Sequence, residues 1–240
     1  MSGGAYVALS GMRARAAQLD RVAADIANVG TSGYKAERNS SIAAERPFFE
    51  SALDAAVDVV NGPGRVDFKP GTLVTTGRDL DCAIDGRGFF VIQTPAGPRY
   101  TRNGQFSRAP GGELAASDGS FVLGQDNERI SIGDGRVEFD PDGSVRVNGA
   151  VAGRLRLVDF ADTAVLAREQ GERFAGPPLT EAREAAGVVR SNAIEGSNVS
   201  LMERVAQLTQ LTHTFEALNR GISVLLNELD GRVISELGRR

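Results

Sequence analysis

LMERVAQLTQLTHTFEALNRGISVLLNEL, residues 201–229, carries an apolar residue at every step of a heptad: Leu201, Leu208, Phe215, Ile222 and Leu229 in one row, Leu211, Leu218 and Leu225 in a second. A repeat of this period specifies a helix with a narrow seam aimed at another helix, not a broad face for a globular core. Ser200 with Glu203 makes a capping box that predicts the helix start. Glu216 to Arg220, Glu228 to Arg232 and Glu236 to Arg240 are i,i+4 pairs in the favourable order. At ~1.5 Å per residue the helix would be on the order of 55 Å long, more than a compact domain of this size needs. His213 falls off both rows and reads as a solvated helix residue.

The other end of the chain mirrors this pattern. Ala5, Leu9, Met12, Ala16, Leu19, Ala23 and Ile26 alternate spacings of four and three, and the stripe stops at the turn-forming run Asn28-Val29-Gly30-Thr31-Ser32-Gly33. Two matching seams at opposite ends belong together, either as a hairpin within one chain or as a contact between chains. The seam positions Leu9, Met12, Ala16, Leu19, Ala23, Ile26, Leu201, Leu208, Leu211, Phe215, Leu218, Ile222, Leu225 and Leu229 are the candidate assembly interface. Gly11, Gly221 and Gly231 each cost a helix about 1 kcal/mol against alanine, which points to close backbone contact. Asp230-Gly231 could instead end the helix.

Between the seams the period changes from helical to two. Phe89-Phe90-Val91-Ile92 is a compact apolar strand stopped by Pro95-Ala96-Gly97-Pro98. Asn103-Gly104, Asp118-Gly119 and Pro141-Asp142-Gly143 sit between short alternating runs and predict hairpins. The expected fold is therefore α+β: a discontinuous, coiled-coil-like terminal helical domain enclosing an antiparallel β-rich centre. Residues 1–33 would be the first helix, 34–70 an irregular linker, 71–180 the β-rich outer domain, and 181–240 a return segment with the last helix.

The same residues offer little for chemistry. Gly86-Arg87-Gly88 lacks the third glycine of a dinucleotide loop. Asp140-Pro141-Asp142-Gly143 begins like a calcium loop but lacks the closing glutamate, so a hairpin turn is the better reading. Asp79, Asp81 and Asp85 have no histidine or distant acid to complete a site. No catalytic, cofactor-binding or metal-ligating residues are assigned, no cofactor is expected, and an enzyme is not expected. With 27 basic against 31 acidic residues the net charge is −4, which gives no footprint for nucleic acid. One cysteine, Cys82, and one histidine cannot build a disulfide framework or a zinc cage. Cys82 reads as a small strand residue. No apolar run reaches the ~20 residues of a membrane span, so no membrane insertion is expected. The first residues show neither the basic nor the apolar part of a secretory signal.

Several segments resemble the axial proteins of the bacterial flagellum. Asn28, Thr31, Gly33, Tyr34 and Lys35 match the family's turn after the first helix. Gly71-Thr72-Leu73, Thr76-Gly77, Leu80-Asp81, Ala83-Ile84 and then Gly86, Gly88, Phe89 and Phe90 are similar to the opening of its β domain. Tyr100-Thr101-Arg102-Asn103-Gly104 with Phe106 continues it, and Ser197, Asn198 and Val199 resemble its entry into the last helix. The matches run in order from the first helix to the last, and the short length with one β domain resembles the basal-body rod, of the proximal type with the distal type close. A coiled-coil adhesin or tail-tube protein would share the heptads but not these ordered glycine motifs. A glycan-binding or lytic module would need an acidic pair in a cleft or an aromatic platform, and the chain has no tryptophan. The resemblance implies a structural subunit of the periplasmic rod, exported unfolded by the flagellar export apparatus without a cleaved signal. Its partners would be copies of itself and other proximal- and distal-rod proteins.

Overall fold

The computed structural model describes residues 3–38, 64–169 and 171–237, and within them the side chains of residues 3–10, 180, 218, 222 and 224–237 lie outside the description. It is a mixed structure of helix and mostly antiparallel sheet. Two compact units make it up: the helices in one, Asn28–Arg38 with Arg65–Val199 in the other.

The helical unit contains α1, Gly3–Ala27, and α2, Leu201–Leu237. α2 begins at the residue after Ser200 with Glu203 in its first turn, where the capping box predicts it. The helices contact each other, and among the described side chains Val22 of α1 and Leu211 of α2 are buried, at 4 % and 8 % exposure. They also touch through an ion pair that periodicity does not predict: Arg204 Nε lies 3.1 Å from the carboxylate of Asp25, whose side chain is 1 % exposed.

In the β unit, Phe89–Thr94 is the central strand, paired with Gly97–Thr101, Phe121–Val122 and Leu157–Asp159. It is apolar on both faces because both faces are covered. Phe90 and Ile92 enter a core with Phe106, Leu114, Val122, Phe139 and Leu155. Phe89 and Val91 enter a second with Tyr100, Val158, Phe160 and Phe174. Edge-to-face rings (Phe90 on Phe106, Tyr100 on Phe160) fill them at 5.2 and 4.8 Å. Cys82 lies fully buried in Cys82–Asp85, as a strand residue.

Two turns read from the sequence form as expected: Ala116 N bonds Ser120 O across Asp118-Gly119, and Val137–Phe139 pairs with Ser144–Val147 across Pro141-Asp142-Gly143. The Asn103-Gly104 hairpin does not form. Gly97–Thr101 pairs with Phe89–Thr94 and Arg173–Ala175, whereas Ser107–Arg108 pairs with Leu114–Ala115. Asn103-Gly104 is instead a buried crossing in which Cys82 N bonds Gly104 O. A Cβ on Gly104 would lie 1.6 Å from Cys82 O, so close approach, not turn geometry, requires this glycine. Pro98, read as a strand stop, lies inside Gly97–Thr101. Asn148 and Gly149, with φ of 51° and 83°, turn the chain into Ala150–Arg154, a strand the periodicity does not single out.

Candidate functional site

The segment after α1, Asn28–Lys35, leaves the helix through a turn in which Thr31 N and Oγ1 both donate to Asn28, each at 3.1 Å. Four residues on, it becomes a buried strap. Gly33 has φ +71°, and a Cβ there would stand 2.4 Å from the backbone N of Asn103, so the strap lies directly on the Arg102-Asn103 backbone. Gly33 N and Ser32 Oγ both donate to the carbonyl of Glu195, at 2.7 and 3.1 Å.

Beneath the strap is a buried ionic cluster. The Lys35 side chain is 0 % exposed and that of Glu195 1 %. Lys35 Nζ donates to Glu195 Oε1 at 2.5 Å and to Lys69 O at 2.9 Å. Gly71 N donates to the same carboxylate oxygen at 2.8 Å. The other oxygen faces Arg102 Nε at 3.5 Å. Arg102 also donates to Ile84 O at 3.4 Å and Gly86 O at 2.7 Å, with its guanidinium 5.6 Å from the centre of the Phe89 ring. Burial pulls the Lys35 ammonium below the ordinary lysine value, Glu195 opposing this and Arg102 reinforcing it. Burial lowers the Arg102 guanidinium too.

The segment that precedes α2 closes the cluster from its other side. Asn198 Oδ1 accepts from Ala36 N at 2.7 Å, while its Nδ2 donates to Asp67 O at 2.7 Å and Lys69 O at 3.1 Å. Val199 packs on Tyr34 and Ala36. Arg168 stacks 4.3 Å over the Tyr34 ring, pairs with Glu37 at 3.0 Å and donates to Lys35 O. Gly33, Tyr34, Lys35, Gly86, Phe89, Asn198 and Val199, scattered over 167 positions of sequence, thus meet at one latch. Gly88 (φ +141°) and Phe90 lie beside it, and Asn28 and Thr31 end α1. Ser197 Oγ accepts from Val199 N at 3.2 Å. Sequence reasoning placed Arg102 in a motif without a role and missed Glu195 altogether. The available signal was composition: Lys35 is one of two lysines against 25 arginines, which marks it as unlike the surface cations.

The arrangement is a clamp, with no exposed nucleophile or paired acid in it. A cleft of about 390 Å³ elsewhere on the unit is lined by Arg78, Asp79, Leu80, Arg108 and Arg136. Its arginines stand 3.5–3.9 Å from Asp79, Asp81, Asp134 and Glu138, so its charge is balanced locally. Among the described residues no group of acids, cysteine and histidine is placed to hold a metal, and no helix is long and apolar enough to cross a membrane.

Of the seam residues, Leu211 is buried and Met12, Ala16, Leu19, Ile26, Leu208 and Phe215 are half-buried, while Ala23 and Leu201 are exposed. The side chains of Leu9, Leu218, Ile222, Leu225 and Leu229 lie outside the described residues. Beside Leu201, α2 also exposes Met202 and Val205, at 83 % and 46 %.

Two family models match the chain. Residues 6–35 match a flagella basal body rod protein model, and residues 83–147 a flagellar hook protein FlgE/F/G D1 domain model. The chain is 30 % identical to the flagellar basal-body rod protein FlgF of Caulobacter vibrioides over 251 aligned positions, covering 100 % of this chain and 99 % of the relative. It is 31 % identical to FlgF of Rhizobium meliloti, over 99 % of both chains. To the flagellar basal-body rod protein FlgG of Bacillus subtilis it is 29 % identical, over 93 % of this chain and 96 % of the relative.

Proposed function

The chain belongs to the flagellar basal-body rod protein family, and from that premise we propose that it builds the proximal segment of the rod through its terminal helices. It is a structural subunit of the rod, and no step of turnover is assigned to it. In this reading α1 and α2 are the assembly domain, and the faces they leave uncovered meet helices of neighbouring subunits. The partners are copies of itself and other rod proteins, met in the periplasm after export of the unfolded chain by the flagellar export apparatus without a cleaved signal.

One observation carries the reading. α2 opens with Leu201, Met202 and Val205 at 45 %, 83 % and 46 % exposure, three large apolar residues within five positions. On α1, Met12, Ala16, Leu19 and Ile26 are only half covered. A soluble monomer has no use for such a pair of rows; a subunit flanked by others does. Two different rows on two helices suit a head-to-tail contact that continues from copy to copy without closing. The proximal assignment rests on FlgF relatives aligned over 99 % or more of both chains, against 93 % of this chain for the FlgG relative.

The test is disulfide cross-linking in intact basal bodies with cysteines at the exposed positions Ala23 and Met202. Bonds that join this chain to a neighbouring rod subunit are expected. Bonds confined to one chain, or none, would overturn assembly through these faces.

A further inference from the structure

We infer that Glu195 is a completion gate on the fold: the strap Asn28–Arg38 cannot settle on the β unit until the chain has delivered residue 195. Two buried cations share this one carboxylate. Lys35 is 0 % and Arg102 4 % exposed, and Glu195 gives one oxygen to each. Their remaining hydrogen-bond partners are the carbonyls of Lys69, Ile84 and Gly86, which are dipoles and carry no counter-charge. The other carboxylates that act on the pair are engaged elsewhere: Asp67 by Arg38 at 2.6 Å and Asp159 by Arg87 at 3.1 Å.

Without Glu195, docking the strap would therefore enclose two like charges with nothing between them. Each disfavours the other, and both lose water. Hydrogen bonding makes the same demand independently. The strap's Gly33 N, Ser32 Oγ and Ala36 N find their acceptors on Glu195 and Asn198, and a buried N–H without an acceptor is as costly as a lost hydrogen bond. Lys35 and Arg102 both precede the carboxylate, Lys35 by 160 positions. A chain that emerges from its N-terminus holds both cations long before their anion. The central strands do not wait: Phe89–Thr94 and Gly97–Thr101 pair across two residues, and the aromatic partners of their rings, Phe106, Phe160 and Phe174, all precede residue 195. The gate thus separates a β core that forms early from a strap, directly following α1, that closes late. This does not depend on what the assembled protein builds.

Three forms of the full chain test it: the natural sequence, Glu195→Gln, and Glu195→Gln with Lys35→Met. Amide exchange of residues 32–36 reads the strap and exchange across 89–101 reads the core. Acylation by an amine-reactive ester compares Lys35 with Lys69, the chain's only other lysine. Glu195→Gln keeps shape and loses charge; it is expected to speed exchange at 32–36 by roughly 100-fold and bring Lys35 acylation within about tenfold of Lys69, with 89–101 still protected. Adding Lys35→Met leaves one cation, still capped by carbonyls, and is expected to restore about tenfold protection at 32–36. The gate is overturned by continued protection of 32–36 in Glu195→Gln, by equal loss of protection in the core, or by a double variant no better protected than the single one.

Discussion

At the scale of single residues, the latch depends on side chains that tolerate almost no change. Gly33 must be glycine twice over, for its φ of +71° and for the 2.4 Å a Cβ would leave to Asn103 N. The backbone strain alone is worth about 1–3 kcal/mol, so Gly33→Ala should lower the unfolding free energy by at least that much, seen as a lower midpoint of chemical unfolding. An unchanged midpoint would mean that the strap relaxes away from Arg102-Asn103. Cys82 bears on pH in the opposite sense to a paired carboxylate. Burial pushes its thiol well above the ordinary value of 9.0, so in alkali the unfolded chain ionises it while the folded chain keeps the proton. The stability it confers is whole below about pH 9 and falls above it by about 1.4 kcal/mol per pH unit. Cys82→Ala should be less stable at pH 7, because it empties space in a filled core, yet show an alkaline decline shallower by one proton. Urea midpoints at pH 7, 9 and 10 check this; parallel curves for the two proteins would refute it.

Elements differ in how far local sequence fixes them. The two helices and the hairpins at Asp118-Gly119 and Pro141-Asp142-Gly143 were legible because period, capping and turn chemistry act over fewer than eight residues. Asn103-Gly104 carries the same hairpin signal and was misread, because its use is set by a contact with Cys82, 22 positions away. The latch was half legible. Family motifs pointed to Gly33, Tyr34, Lys35 and Asn198, but no spacing rule pairs Lys35 with a glutamate 160 residues on. The ion pair between α1 and α2 escaped for a related reason: a heptad seam predicts apolar neighbours, and Asp25 with Arg204 breaks that expectation where the helices touch. A buried pair of this kind adds little net stability but strongly penalises any register that leaves Asp25 alone. Arg204→Met should therefore cost on the order of 3 kcal/mol of helix stability, and Asp25→Leu added to it should recover most of the loss. If the double change is as damaging as the two singles summed, the pair does not set the register.

For the whole molecule, the proposed reading gives the latch and the rows on α1 and α2 two different tasks, a settled fold in each copy and an unsatisfied surface between copies. Leu201, Met202 and Val205 would serve the second more than the first, since 45 %, 83 % and 46 % of their area is already in water. Covering by a neighbour would be worth roughly 1.5–3 kcal/mol for Met202 and about half that for Leu201 and Val205, before the cost of association is subtracted. Placing a charge there should thus leave the monomer intact and spoil the polymer. Met202→Glu with Val205→Glu is expected to unfold within about 0.5 kcal/mol of the natural chain, as surface changes usually do, while its incorporation into basal bodies falls at least tenfold. Glu195→Gln should reverse the pattern, costing the monomer about 3–5 kcal/mol through the broken latch and reducing incorporation only as far as folded chain is lost. Quantifying folded monomer and incorporated subunit for both variants distinguishes the two requirements. If the helix-surface variant proved as unstable as the latch variant, the exposed row would be part of the fold, and the assembly surface would have to lie elsewhere on the chain.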